Sequence, residues 1–514
     1  MKLDQRTGHL AVLSLLAITA LALFITSPVD GDFWWFDSPR HAMNSVFLRD
    51  LLVEGGVFHP IDYARAYYVR YPGINIGFYP PFLYLSSVPF LIAFGVSHAA
   101  VQAVVTLYAL AAGIFTYSIG CRKMDRVSAA ATAVIVMTLP AMALWSRQVQ
   151  LDVPAVALVL AAAYFLLAHL QTGRVATLFV SVVCLGCAML TRLQTAYAVP
   201  VVLFFLFFHR YPDRPGLKTR IAAVALLIAL ALPSALLFSY FSRVTGSLAT
   251  ATPGMPRLWS IDNWVWYLRT LPDQLGPVAL LFLIFGLAAG VLSIGKRGLS
   301  IPMLVVGSLA LASWLAFTLV SNKDPRFNLP SLPFLVLFAA FGLHQLEPRL
   351  AAAAAAIVAL FCVAHAIFIS QVPTVTGFKE AAAAAAEIAP PNSNVLISAH
   401  RDGNFIFDLR ALNVRRDVGV RRADKLFVEM SIMRELGIRD RQLDRKAILE
   451  IFDHERIDVV VVQPGYLADQ PSMRTFEDLV SSGEYFEPVG RVALSGALRS
   501  GEKELIVFRR KPPA

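Results

Sequence analysis

Twelve apolar runs constrain this chain more than any other feature. They lie near residues 10–26, 81–96, 98–120, 127–145, 153–171, 176–191, 193–209, 219–241, 274–294, 300–320, 329–346 and 349–371. Most reach the roughly 17–25 residues that a helix needs to cross a bilayer. Hydrocarbon offers backbone amides no partner, so such runs must satisfy themselves as helices. Composition agrees, with 57% hydrophobic and 16% charged residues and a mean hydropathy of +0.61, where a soluble chain carries about 25% charged residues. The net charge of +10 does not point to nucleic acid, because Lys and Arg fall between the apolar runs or in the tail, without interleaved aromatics. Cys121, Cys184, Cys187 and Cys362 lie in or beside apolar runs, so the spacing supplies neither a disulfide framework nor a metal cluster. The basic head (Lys2, Arg6) and first run outline a signal peptide, but Ile25-Thr26-Ser27 is a poor cleavage site and more membrane follows. The run reads as a retained first helix.

Charge sets the topology. If all twelve runs crossed, the cluster at 121–126 would lie outside with Lys2 and Arg6 inside, against the positive-inside bias. Treating 81–96 as a helix that enters from outside and returns repairs every later loop. That run opens on Tyr79-Pro80-Pro81, is short and contains Pro89. The reading is then a polytopic α-helical membrane protein with about eleven transmembrane helices plus re-entrant or interfacial helices. Its N-terminus is inside, and a small C-terminal α/β domain is extracytoplasmic. The expected division is 1–371 for the membrane domain, with 27–80 as its first outer loop, and 372–514 for the α/β domain. The loop 242–273 also falls outside. In the tail, 395–398, 458–462 and 504–508 read as strands. Residues 422–436 and 445–454 have helical spacing, and the alanines at 381–386 open the tail as a helix.

Nearly all polar features without a topological role fall on one side. Asp37 stands beside Trp34, Trp35 and Phe36, just beyond the first membrane helix. Aromatics of this kind suit a lipid–water boundary, and Ser38-Pro39 makes a fair helix start. Asp37 is therefore either a cap or a working carboxylate. Asp152 stands at the outer mouth of two helices, where an ionisable group is costly and usually paired or functional. Two acids on one membrane face suit base catalysis, with one taking a proton from an acceptor and the other orienting it. Arg192, in the turn of a tight helical pair, and Arg326, in Asp324-Pro325-Arg326-Phe327, suit phosphate recognition or headgroup snorkelling. Asp30-Gly31-Asp32 has the outline of a cation site, but no metal is assigned to it.

The ordered set of motifs resembles the GT-C glycosyltransferases of the protein O-mannosyltransferase and aminoarabinose-transferase type, glycosyltransferase family 39. The resemblance runs through Asp37-Ser38-Pro39-Arg40-His41-Ala42, Tyr79-Pro80-Pro81-Phe82-Leu83-Tyr84, Arg147 to Pro154, Thr191-Arg192, and Arg326 to Pro333. It covers about residues 10–346. It implies an inverting transfer of sugar from a polyprenyl-phosphate donor to a lipid, glycan or protein acceptor, on the extracytoplasmic face of the plasma membrane, without a cofactor. Asp37 and Asp152 would be catalytic. Arg192, Arg326, Tyr79, His41 and Arg70 would bind substrate, and membrane lipids would surround the helices. Two positions depart from the family pattern. Ser38 stands where it has Glu, and Tyr79 where it has a cation before Pro-Pro, a phosphate contact that would pass to Arg70 or Arg192. The alternatives are a transporter or flippase for a lipid-linked envelope precursor, and a structural subunit of an envelope complex. A transporter would place its charges near mid-membrane and show internal repeats. These charges gather at one face.

Overall fold

The computed structural model describes residues 2–75, 78–240, 254–430, 434 and 437–512. Among them, eight helices are long and apolar enough to span a membrane, or nine if a bent pair is taken as one span. The apolar runs are recovered closely, as His98–Gly120, Asp152–Thr172 and Leu217–Tyr240 illustrate. The expected eleven is reached only by adding two shorter apolar helices, Val175–Thr191 and Leu193–Phe207. Phe82–Phe94 has 13 residues with Pro89 inside. At 1.5 Å per residue it is roughly 20 Å long, short of the hydrocarbon thickness.

Three runs break where residue chemistry requires it. The 127–145 run becomes Arg126–Thr138 and Pro140–Ser146, bent by 62°, because Pro140 cannot continue the first helix's hydrogen bonds. The expected outer loop 242–273 contains a helix in its second half. Residues 241–253 lie outside the described residues, but a helix already begins at Ile261, with Ser260 as its cap, and runs to Arg297 across a kink at Gly276. There φ is +73°, a left-handed value that glycine adopts at little cost, and Pro277 follows. Residues 325–331 form a 3-10 turn before the helix Leu332–Leu346.

The chain divides into two compact units. The first comprises residues 1–27, 77–83 and 102–372 and holds most of the apolar helices. The second comprises 28–76, 84–101 and 373–514, so the first outer loop groups with the tail. The second unit is built on a five-stranded sheet. Strand β1 (Asn394–Ser398) pairs in parallel with β2 (Gly419–Arg422) and β3 (Ile457–Val462), and β3 pairs antiparallel with β5 (Glu504–Arg510), which pairs antiparallel with β4 (Phe486–Ala493). Val395, Leu396, Ile397 and Val459 to Val461 are sealed from solvent, as expected of central strands covered on both faces. The helix Phe378–Ile388 buries Ala381, Ala382, Ala385 and Ala386. Phe427, Phe452, Phe476 and Phe486 interlock on the sheet.

The strands expected at 395–398, 458–462 and 504–508 and the helix 445–454 are present. The helix expected over 422–436 is not. Arg422 ends β2, Ala423–Leu426 makes one helical turn, and Val428–Met430 pairs as a strand with Ile438–Asp440. Its remainder reaches residues outside those described. Apolar spacing misled because Phe427 and Val428, adjacent in sequence, are both buried. Residues 402–412, 471–481 and 486–493 were not assigned from sequence, and form two helices and a strand.

Candidate active site

The first unit gathers Asp152, Arg192 and Arg326. Asp152 is 2% exposed and opens the helix Asp152–Thr172. Its carboxylate is ion-paired with Arg192, which ends the helix Val175–Thr191 before a 3-10 turn. The Arg192 guanidinium also lies over the Phe327 ring, 5.3 Å from its centroid. Arg326 lies 5.7 Å from the same ring and 5.6 Å from the ring of Trp145. The two arginines that the resemblance assigns to substrate binding thus share one aromatic ring, at the separations expected of cation–π contact.

Local chemistry fixes this arrangement. The Asp324 carboxylate accepts the backbone N–H of Arg326 at 2.9 Å and its Nε–H at 3.1 Å, so one acid both caps the 3-10 turn and steers the guanidinium. Gln274 donates to the Pro325 carbonyl at 2.5 Å, and Asn328 donates to Gln274 at 3.3 Å. The turn is therefore tied to the kinked helix that carries Gln274. Lys323, 4% exposed, donates to the carbonyls of Phe317 and Thr318 at 3.0 and 2.9 Å and lies over the Tyr267 ring at 5.1 Å. It satisfies the end of the helix Ile301–Thr318, and burial pushes its ammonium down to about 8. Tyr79 belongs to this unit, packs edge-on against Phe78 at 4.9 Å, and lies within electrostatic reach of Arg192, as does Tyr267. Sequence reasoning passed over Trp145, Phe327 and Asp324. An aromatic within two residues of an arginine on each of two inter-helix turns was the signal available.

The second unit holds Asp37, His41 and Arg70. Asp37 is half-buried at the N-cap position of the helix Ser38–Val53, and no hydrogen bond from this helix's amides reaches its side chain. The cap reading thus loses its usual contact. His41, one turn on, is 2% exposed. Its Nδ1 hydrogen-bonds the Tyr84 hydroxyl at 2.9 Å, with the rings stacked 5.9 Å apart. Arg70 is exposed at the end of the helix Pro60–Arg70 and lines a hollow of about 530 Å³, with Tyr63, Tyr67, Arg416 and Arg421. Asp32, one acid of the Asp30-Gly31-Asp32 segment to which no metal was assigned, accepts the Phe378 amide at 2.8 Å and so caps the helix Phe378–Ile388 from a distant part of the chain.

Residues 80–238 match the family model described as dolichyl-phosphate-mannose-protein mannosyltransferase. Among solved structures, the chain is similar to ArnT from Cupriavidus metallidurans in the apo state. The TM-score is 0.64 at 15% identity, covering 98% of each chain. The same protein bound to undecaprenyl phosphate gives 0.61 at 14% identity, over 96% of this chain and 97% of that one. The archaeal oligosaccharyltransferase AglB from Archaeoglobus fulgidus, in complex with an inhibitory peptide and a dolichol-phosphate, gives 0.55 at 13% identity, over 99% of this chain and 76% of that one. A comparison with curated proteins gives no match. The motif order read from sequence agrees with the family matched over 80–238, and the chain shares the fold of these solved membrane proteins along nearly its whole length.

Proposed function

We propose that the protein transfers a sugar from a polyprenyl-phosphate donor to a lipid, glycan or protein acceptor on the extracytoplasmic face of the plasma membrane. Asp37 is the base that takes the acceptor proton as its oxygen or nitrogen attacks the anomeric carbon, and the bond to the donor phosphate breaks. Asp152 orients the acceptor. Arg192 and Arg326 offset the charge that develops on the departing phosphate, where fixed cations are worth most. Tyr79, His41 and Arg70 are assigned to substrate binding. The observation that carries the reading is the pair of guanidiniums over Phe327, one of them paired with Asp152. Two arginines placed around one rigid ring offer a preorganised seat for a phosphate ester.

Purified protein in detergent with polyprenyl-phosphate sugar and a crude envelope acceptor decides between transferase and transporter, since detergent abolishes any gradient. The account expects release of free polyprenyl phosphate. No release with any donor and acceptor tried, together with restored lipid flipping in vesicles, would overturn it.

A further inference from the structure

We infer that the C-terminal α/β region is a positioning device for Asp37, acting through two cations held over Phe36. This rests on the reading of Asp37 as the base. The Arg401 guanidinium lies 4.4 Å from the Phe36 centroid and that of Arg499 lies 4.2 Å from it. Arg401 is 5% exposed. It donates through Nε to Glu502 at 3.2 Å, through Nη1 to the Trp34 carbonyl, and through Nη2 to the Ala497 carbonyl at 3.3 Å. With three nitrogens engaged, its plane has one orientation, and Phe36 lies against its face. Glu502, 3% exposed, also accepts the Arg499 backbone N–H at 2.9 Å. One buried carboxylate therefore organises both cations.

The neighbouring residues are held by the same region. Phe33 donates its N–H to Asn404 Oδ1 at 3.1 Å, and Asn404 Nδ2 donates back to the Phe33 carbonyl at 3.0 Å. Arg40 pairs with Asp402 at 3.6 Å. Residues 33, 34, 36 and 40 are thus each fixed to the tail, and Asp37 stands among them. A base must be placed to a fraction of an ångström to act, and small misplacements are costly. The tail contributes no group of its own to the chemistry; it sets where Asp37 stands. Arg401, Arg499, Glu502 and Phe36 are positioning residues.

The test compares Phe36→Leu, Phe36→Trp, Arg499→Gln and Arg499→Lys, each made in the wild-type and in the Asp37→Asn background. Arg499 is exposed, so its variants should fold, and thermal unfolding in detergent checks this. Phe36→Leu and Arg499→Gln should lower kcat on the order of 10- to 100-fold, with donor KM changed less than about two-fold. Phe36→Trp and Arg499→Lys keep a ring and a cation, and should stay within about three-fold of wild type. In the Asp37→Asn background neither loss should recur, because the clamp would have no base to place. A merely structural role would give the same loss in both backgrounds. Full activity in Phe36→Leu and Arg499→Gln while Asp37→Asn is dead would overturn the clamp alone. Full activity in Asp37→Asn would overturn the assignment of the base instead.

Discussion

Asp50 and Arg410 are both sealed from solvent and meet through three hydrogen bonds of 2.7–2.9 Å, with the Tyr67 hydroxyl donating to the same carboxylate at 2.9 Å. A buried ion pair often contributes little net stability, but removing one partner strands the other charge. Asp50→Ala should therefore destabilise the protein by about 3–5 kcal/mol. The double change Asp50→Leu with Arg410→Met should cost clearly less than the single one. Denaturant unfolding in detergent reads both, and an Asp50→Ala protein as stable as wild type would contradict the packing described. This pair was not legible in the sequence. Asp50 lies in the last turn of its helix beside Arg49 and looks like part of a solvated face, and its partner is 360 residues away. The candidate site was more legible, because Asp37, Asp152, Arg192 and Arg326 each lie where a helix ends, and helix ends can be read from apolar periodicity. What stayed hidden were their partners: the direct pairing of Asp152 with Arg192 and the rings beneath the arginines depend on tertiary packing.

The helix Phe378–Ile388 shows how an element can depend on a distant residue. Its N-terminal amide is satisfied by Asp32, and Asp32 lies within electrostatic reach of Asp408. Burial raises both carboxyls above the ordinary aspartate range, and for Asp408 the neighbouring Asp32 charge raises it further. A raised acid binds more protons folded than unfolded. The pair's contribution is therefore largest below the unfolded value of roughly 4 and is lost as pH rises through the folded values. Unfolding midpoints at constant salt should fall as pH increases across that window, and Asp408→Asn should flatten the dependence while keeping the cap. A slope of the opposite sign, or no change of slope in Asp408→Asn, would contradict this. Elements were read well from sequence where the chain is long and apolar, as in His98–Gly120. They were read poorly where two short strands and a single helical turn crowd into residues 423–440. There hydrogen bonding to remote strands, which leaves little local trace, sets the structure.

At the scale of the molecule, the arrangement of charged loops expects residues 60 and 400 outside and residues 123 and 214 inside, which reporter fusions at those positions would read. A fusion at 123 that reports outside would make Phe82–Phe94 a crossing and would separate Asp152 from Asp37 across the membrane. The grouping of residues 28–76 with the tail gives the first outer loop a body to fold on, which neither its length nor its composition announced. The central claim is that a base and two phosphate-holding arginines perform sugar transfer. The most direct measurement is the single-turnover rate of donor cleavage for wild type, Asp37→Asn, Arg326→Lys and Arg326→Ala. Asp37→Asn keeps size and removes charge, so the rate should fall on the order of 10²–10⁴-fold with donor binding retained. Arg326→Lys should be slowed despite its charge, because a point charge cannot reproduce the guanidinium fork, and Arg326→Ala should be slower still. Wild-type rates in Asp37→Asn, or equal rates in all three Arg326 forms, would contradict the account.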